Sequence, residues 1–124
     1  MTQPQALLLY EKLLPGSQLG NRLQDLGWRV QTVHDVAALP QTAEEQKPLI
    51  VFADLLSTRG DICQGITSLR SHEPTKHIPV VAFTADQDQA VFDRAIAAGA
   101  TLVVSDAAVL QHLSQFIDQA LNDF

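Results

Sequence analysis

The sequence predicts one α/β domain of three layers, a five-stranded parallel sheet held between two layers of helices. Three observations predict it. Short apolar runs rich in branched and aromatic residues recur along the chain, as strands buried on both faces require. Segments with apolar residues at helical spacing lie between them. Strand and helix alternate five times, the pattern of a parallel sheet sandwiched by helices. The 124 residues, read as one domain spanning 1–124, are a typical domain length, and a 46% hydrophobic composition can fill its core.

The first strand is Ala6-Leu7-Leu8-Leu9-Tyr10, ended by Glu11. Pro15-Gly16-Ser17 punctuates the chain behind it. Leu19, Leu23 and Leu26 then recur at helical spacing, Arg22 and Gln24 point elsewhere, and Gly27 stops the helix. Trp28 to Val33 alternates apolar and polar, which suits an edge strand, with Trp28 packing at its start. After Asp35 the second helix is short or displaced. An interior proline costs ~3 kcal/mol, so Pro40 fits best as its first residue.

The third strand is Lys47-Pro48-Leu49-Ile50-Val51-Phe52-Ala53-Asp54, opened by a proline and closed by a carboxylate. Ser57-Thr58-Arg59-Gly60 forms a loop and Asp61 caps the third helix, whose buried stripe is Ile62, Ile66 and Leu69. The adhesion-like tripeptide Arg59-Gly60-Asp61 is thereby a turn plus a cap. Ile78 to Thr84 is the fourth strand. Asp86 and Asp88 open a helix that carries Val91, Phe92, Ala95 and Ile96 and stops at Gly99. Thr101 to Ser105 is the fifth strand. Leu110, Leu113, Ile117, Ala120, Leu121 and Phe124 line one face of the last helix. Right-handed crossovers limit the topologies, and the simplest strand order is the flavodoxin-like 2-1-3-4-5.

Composition narrows the function. Fourteen acidic against eight basic side chains give a net charge of −6, with no basic stripe for a nucleic acid to follow. The single cysteine, Cys63, forms no internal disulfide and reads as a helix-surface or core filler. No apolar run approaches the ~20 residues that span a bilayer, and the start of the chain lacks the charge and length of a signal peptide. The expectation is a cytoplasmic protein with no membrane partner. His34, His72, His77 and His112 lack ligand-like spacing.

Open α/β sheets bind their ligands at the carboxyl ends of the strands. That edge gathers Glu11 from strand 1, Asp54 from strand 3, Thr84 from strand 4, and Ser105 with Asp106 from strand 5. A carboxylate such as Asp54 at the rim of an apolar core needs a helix amide, a metal or a chemical role to account for it.

In this ordered set the chain resembles the receiver domain of bacterial response regulators over nearly its whole length. The resemblance puts Asp54 on the phosphate-accepting position, Thr84 on the hydroxyl position and Glu11 on the second acid of the strand-1 pair. Gly27, Asp35 and Gly99-Ala100 match the connecting signatures. Four positions depart. Tyr10 stands at the first acid, where its ring fills the half-empty acid pocket. Asp106 stands in place of the family lysine, with Ala107 in place of the proline after it. Ile62 replaces a glycine opening the third helix, and Val103 replaces an aromatic. Asp106 is expected to N-cap the last helix.

The resemblance implies that metal, hydroxyl and lysine share the charge developing as an aspartate attacks a phosphoryl group. Exchanging that cation for Asp106 turns attraction into repulsion. The expectation is a pseudo-receiver, not an enzyme, that works as a phosphorylation-independent interaction module. Its partners would meet helix 4, strand 5 and helix 5, with Gln87, Phe92, Val104 and Gln111 as contacts, and the same face would serve a homodimer. No cofactor is required. A weak Mg²⁺ or Ca²⁺ site would use Glu11 and Asp54 with the backbone carbonyl of Leu56, or with Asp106. The alternative is a single-domain response regulator phosphorylated on Asp54 with Mg²⁺. A flavodoxin-like enzyme or nucleotide binder would need a glycine-rich phosphate loop, and Lys12-Leu13-Leu14-Pro15-Gly16-Ser17 is a poor one.

Overall fold

The computed structural model of the chain describes residues 4–10, 13–33, 35–55, 61–84 and 89–122. Five strands, β1 (Gln5–Leu9), β2 (Arg29–Val33), β3 (Ile50–Asp54), β4 (Val80–Thr84) and β5 (Leu102–Ser105), form one parallel sheet in the order β2-β1-β3-β4-β5. The helices are α1 (Leu13–Asp25), α2 (Leu39–Gln46), α3 (Ile62–Ser71), α4 (Gln89–Ala98), α5 (Asp106–Gln111) and α6 (Leu113–Asn122), with a 3-10 turn at Val36–Ala38.

Alternation along the central strands sends side chains to two cores. Leu7, Leu9, Val51, Ala53, Val80 and Ala82 meet the layer of α2, α3 and α4. Ala6, Leu8, Ile50, Phe52, Val81 and Phe83 meet α1, α5 and α6. Burial on both faces accounts for the uninterrupted apolar runs of β1, β3 and β4.

Several local expectations hold. Asp61 accepts the amides of Cys63 and Gln64 at 3.0 and 3.3 Å and starts α3. Pro40 lies one residue inside α2, which starts at Leu39 rather than at the proline, and Asp35, for which the sequence suggested no cap, caps the preceding 3-10 turn through the Ala37 amide. Gly27, at φ +90°, ends α1 in a left-handed cap whose bonds run from Gly27 N–H to Gln24 and from Trp28 N–H to Leu23.

Others are corrected. The helix runs through Pro15-Gly16-Ser17, which does not interrupt it. A proline in a first turn lacks only an amide that had no partner there. Leu26 is 47% exposed, because the Gly27 cap turns the chain and Trp28 takes the core position. Ile96 is 53% exposed and does not join the buried stripe of α4, in which only Ala95 is buried. The last helix is two helices. His112 leaves helical geometry at φ −123°, ψ 33°, and its ring meets Phe116 edge-on at 6.4 Å. Leu113, Ile117 and Ala120 still face the core, joined by Val109 from α5.

Candidate site at the carboxyl edge of the sheet

The strands end in step. Ala53 pairs with Leu9 on one side and Ala82 on the other, so Tyr10 and Asp54 leave adjacent strands at the same level. Asp54 is 6% exposed at the end of β3, and Leu55 N–H bonds back to the Phe83 carbonyl at 2.9 Å, holding the strand end against β4. Thr84 is fully buried at the end of β4. It lies opposite Ser105 in the β4–β5 register, and Asp106 follows immediately. The sheet thus brings Tyr10, Asp54, Thr84, Ser105 and Asp106 to one edge. Glu11 and Leu56, the other expected metal ligands, lie outside the described residues, as do Lys12 and Gln87.

Tyr10 is half-buried and packs against the core shared by Leu8, Phe52 and α1. Its backbone N–H donates to the Val33 carbonyl at 3.3 Å.

The helix after β5 starts differently from expectation. Ser105 is the N-cap, its hydroxyl accepting the Ala108 amide at 3.1 Å. Asp106 is the first residue of α5. Three residues separate Ser105 from the amide it receives, the spacing an N-cap needs. Asp106 is half-buried, its Oδ1 is shielded from solvent, and an acid in a first helical turn sits favourably against the helix dipole. No loop intervenes between strand and helix, so the Asp106 carboxylate is carried at the sheet edge itself.

Beside this edge lies the expected partner face. Val91 and Phe92 of α4 are half-buried, all of β5 is half-buried, and Gln111 is exposed. Phe92 and Ile96 are four residues apart on α4 and share a side of it. Ile96 was missed as a surface residue because its spacing from Phe92 equals that of a core stripe. Open grooves among the described residues include two away from this edge. One of about 430 Å³ lies between the 3-10 turn and α3, lined by Val36, Pro40, Asp61 and Gly65. The other, about 360 Å³, lies between α1 and the α5–α6 break, lined by Arg22, Asp25, Leu26, Leu110 and His112. Neither contains Asp54, Thr84 or Asp106.

Among the described residues no group of three or more His, Cys, Asp or Glu side chains is placed to hold a metal. Asp54 is one hard oxygen donor of the kind Mg²⁺ takes. Burial, then the nearby Asp61 charge, pushes the Cys63 thiol above its ordinary value, with Arg94 opposing. No helix of the described chain is long and apolar enough to cross a membrane.

No protein-family model and no curated protein matches this sequence. Solved structures do. The receiver domain of a Pseudomonas aeruginosa sensor histidine kinase, with a magnesium ion coordinated in its active-site cleft, is similar with a TM-score of 0.87 and 20% identity, over 97% of this chain and 98% of that one. The phosphorylated cyanobacterial phytochrome response regulator RcpA gives a TM-score of 0.82 at 15% identity, over 99% and 97% of the two chains. The receiver domain of a Syntrophus aciditrophicus signal transduction histidine kinase gives 0.84 at 17%, over 97% and 91%. The chain has the five-stranded fold of response-regulator receiver domains.

Proposed function

We propose that this receiver-fold chain is a pseudo-receiver, a phosphorylation-independent protein-interaction module of bacterial signal transduction rather than an enzyme. The observation that carries the reading is Asp106. It follows Ser105 directly at the sheet edge where Thr84 ends its strand, at the position where the resemblance calls for a lysine. An incoming phosphoryl group carries roughly two negative charges at neutral pH. At about 4 Å and an effective dielectric near 20, one like-charge pair costs about 4 kcal/mol. At that separation the repulsion would slow transfer about a thousandfold. Tyr10 in place of the first acid removes a further ligand from the metal that would offset the charge.

The proposed partner face is α4, β5 and α5. Its support is the Phe92–Ile96 pair on α4, since large apolar side chains left partly in water suit an interface. The partner is a signalling protein, and the same face serves a homodimer. The module works in the cytoplasm, without nucleic acid or membrane. Any Mg²⁺ binding would be weak and would use Asp54 with Glu11 and the Leu56 carbonyl.

A second reading is favoured by one observation, the retention of a buried carboxylate at Asp54 next to the strand that ends in Thr84. In it, Asp54 accepts a phosphoryl group from a histidine kinase or phosphotransfer partner with Mg²⁺, as the phosphorylated RcpA structure and the magnesium-bound Pseudomonas receiver illustrate for those proteins. Incubation with a small phosphodonor and Mg²⁺ followed by intact mass measurement separates the two. The pseudo-receiver shows no phosphoryl adduct. A stable adduct that disappears in Asp54→Asn establishes the second reading.

A further inference from the structure

The last turn of α3 reaches across to the far end of α4, at the sheet edge opposite Asp54. Arg70 Nε donates to the Gly99 carbonyl at 2.7 Å, Nη1 to the Lys76 carbonyl at 2.9 Å and Nη2 to the Thr101 hydroxyl oxygen at 2.6 Å. That oxygen also accepts the Val80 amide at 3.2 Å, so the guanidinium is tied to the first residue of β4. One turn earlier Thr67 donates its hydroxyl proton toward the Ala98 carbonyl at 3.3 Å, sharing it with its own helix at Cys63.

These polar ties contrast with the body of α4. Of its ten residues only Ala95 is buried, while Gln89, Ala90, Asp93, Arg94, Ile96 and Ala97 are exposed. Val91 and Ala98 add partly buried contacts to the core beside Ala95, so packing seats one stripe of α4 and leaves the rest of the helix to be oriented by its ends. Its C-terminal end, by contrast, is fixed by hydrogen bonds to carbonyls that helix termini otherwise leave to water. Gly99, at φ +118°, turns the chain there. A Cβ at that position would lie 2.5 Å from Arg70 Cγ, so the arginine stem fits against the bare glycine.

We propose that Arg70 is the latch of a lever: α4 pivots at Gly99, and the Arg70–Gly99–Thr101 contacts set the angle at which Phe92 and Ile96 are presented. The helix is thereby positioned from α3 and the lower sheet edge, independently of the chemistry at Asp54. The device goes beyond the partner-module reading and does not depend on it, because it follows from packing and hydrogen bonding alone.

Amide hydrogen exchange on the full chain tests it, comparing the native protein with Arg70→Met, Arg70→Lys and Thr101→Val. Arg70→Met should speed exchange of the α4 amides at least tenfold while those of α1, β1 and β3 stay within twofold. Arg70→Lys, which keeps a charge but has a single nitrogen that cannot reach all three acceptors as the guanidinium does, should fall between. Thr101→Val removes an acceptor shared by Arg70 and the Val80 amide, and should give a smaller rise confined to α4 and the starts of β4 and β5. This second variant keeps the test decisive if Arg70→Met fails to fold. Unchanged α4 exchange in the folded variants, or an equal rise in every element, overturns the latch.

Discussion

Thr84 and Ser105 are register partners at the ends of β4 and β5, and Ser105 spends its hydroxyl on the Ala108 amide. One hydroxyl at this edge is therefore committed to starting a helix. The other ends its strand fully buried. The helix begins so promptly that the Asp106 backbone is held at the edge itself.

Ser105→Ala should destabilise the fold by about 1 kcal/mol, the usual cost of removing an N-cap acceptor. Ser105→Asp should recover most of it. Urea unfolding of the three proteins checks the assignment. An unchanged midpoint in Ser105→Ala would return the capping role to Asp106.

Two glycines should respond to alanine with opposite signs. Gly20 is inside α1 with only ordinary contact to Leu8 at 3.6 Å, so Gly20→Ala should stabilise by about 0.5–1 kcal/mol through helix propensity. Gly99 combines a left-handed φ with the 2.5 Å approach to Arg70, so Gly99→Ala should cost roughly 1–3 kcal/mol. Denaturant midpoints measure both.

Ile96→Lys should leave stability within about 0.5 kcal/mol, as surface substitutions do. Leu69→Ala, at a fully buried site, should cost about 2–5 kcal/mol. If Ile96→Lys costs as much as Leu69→Ala, then α4 buries the face assigned here to solvent.

Cys63 should alkylate more slowly than a free thiol at pH 8, because a raised thiol value leaves less thiolate. Asp61→Asn keeps an oxygen for the cap but removes the charge that raises it, so the rate should increase. The linked stability effect has a definite sign. It is fully present below the unfolded thiol's titration and is lost as pH climbs through the raised folded value. Rates followed from pH 7 to 10 test both statements.

Much of the architecture was legible from residues whose chemistry acts locally. The run from Lys47 to Asp54 announces a central strand, although Lys47 ends α2, Leu49 is 51% exposed and the strand begins only at Ile50, and Asp61, Pro40 and Gly27 mark helix ends at short range. The misreadings involve choices made by tertiary structure. Leu26 keeps the helical spacing of Leu19 and Leu23 yet is exposed, while Trp28, just past the Gly27 cap, joins the core. Ile96 has the spacing of a core residue from Phe92, yet the stripe that α4 packs on the core is Val91, Ala95 and Ala98, which leaves Ile96 outward. Arg70 and Thr101 meet across 31 residues, a separation that no periodicity encodes. At the site, the sequence placed Asp54, Thr84 and Asp106 at one edge. It missed the cap because Ser105 and Asp106 are adjacent and both are good capping residues.

The central claim concerns the charge at position 106, and the most direct measurement compares the native chain with Asp106→Lys. Both are incubated with a small phosphodonor and Mg²⁺ and examined by intact mass. The account predicts no adduct on the native chain and a phosphoryl adduct on Asp106→Lys that is abolished by adding Asp54→Asn. An equal adduct on the native chain, lost in Asp54→Asn alone, would contradict it.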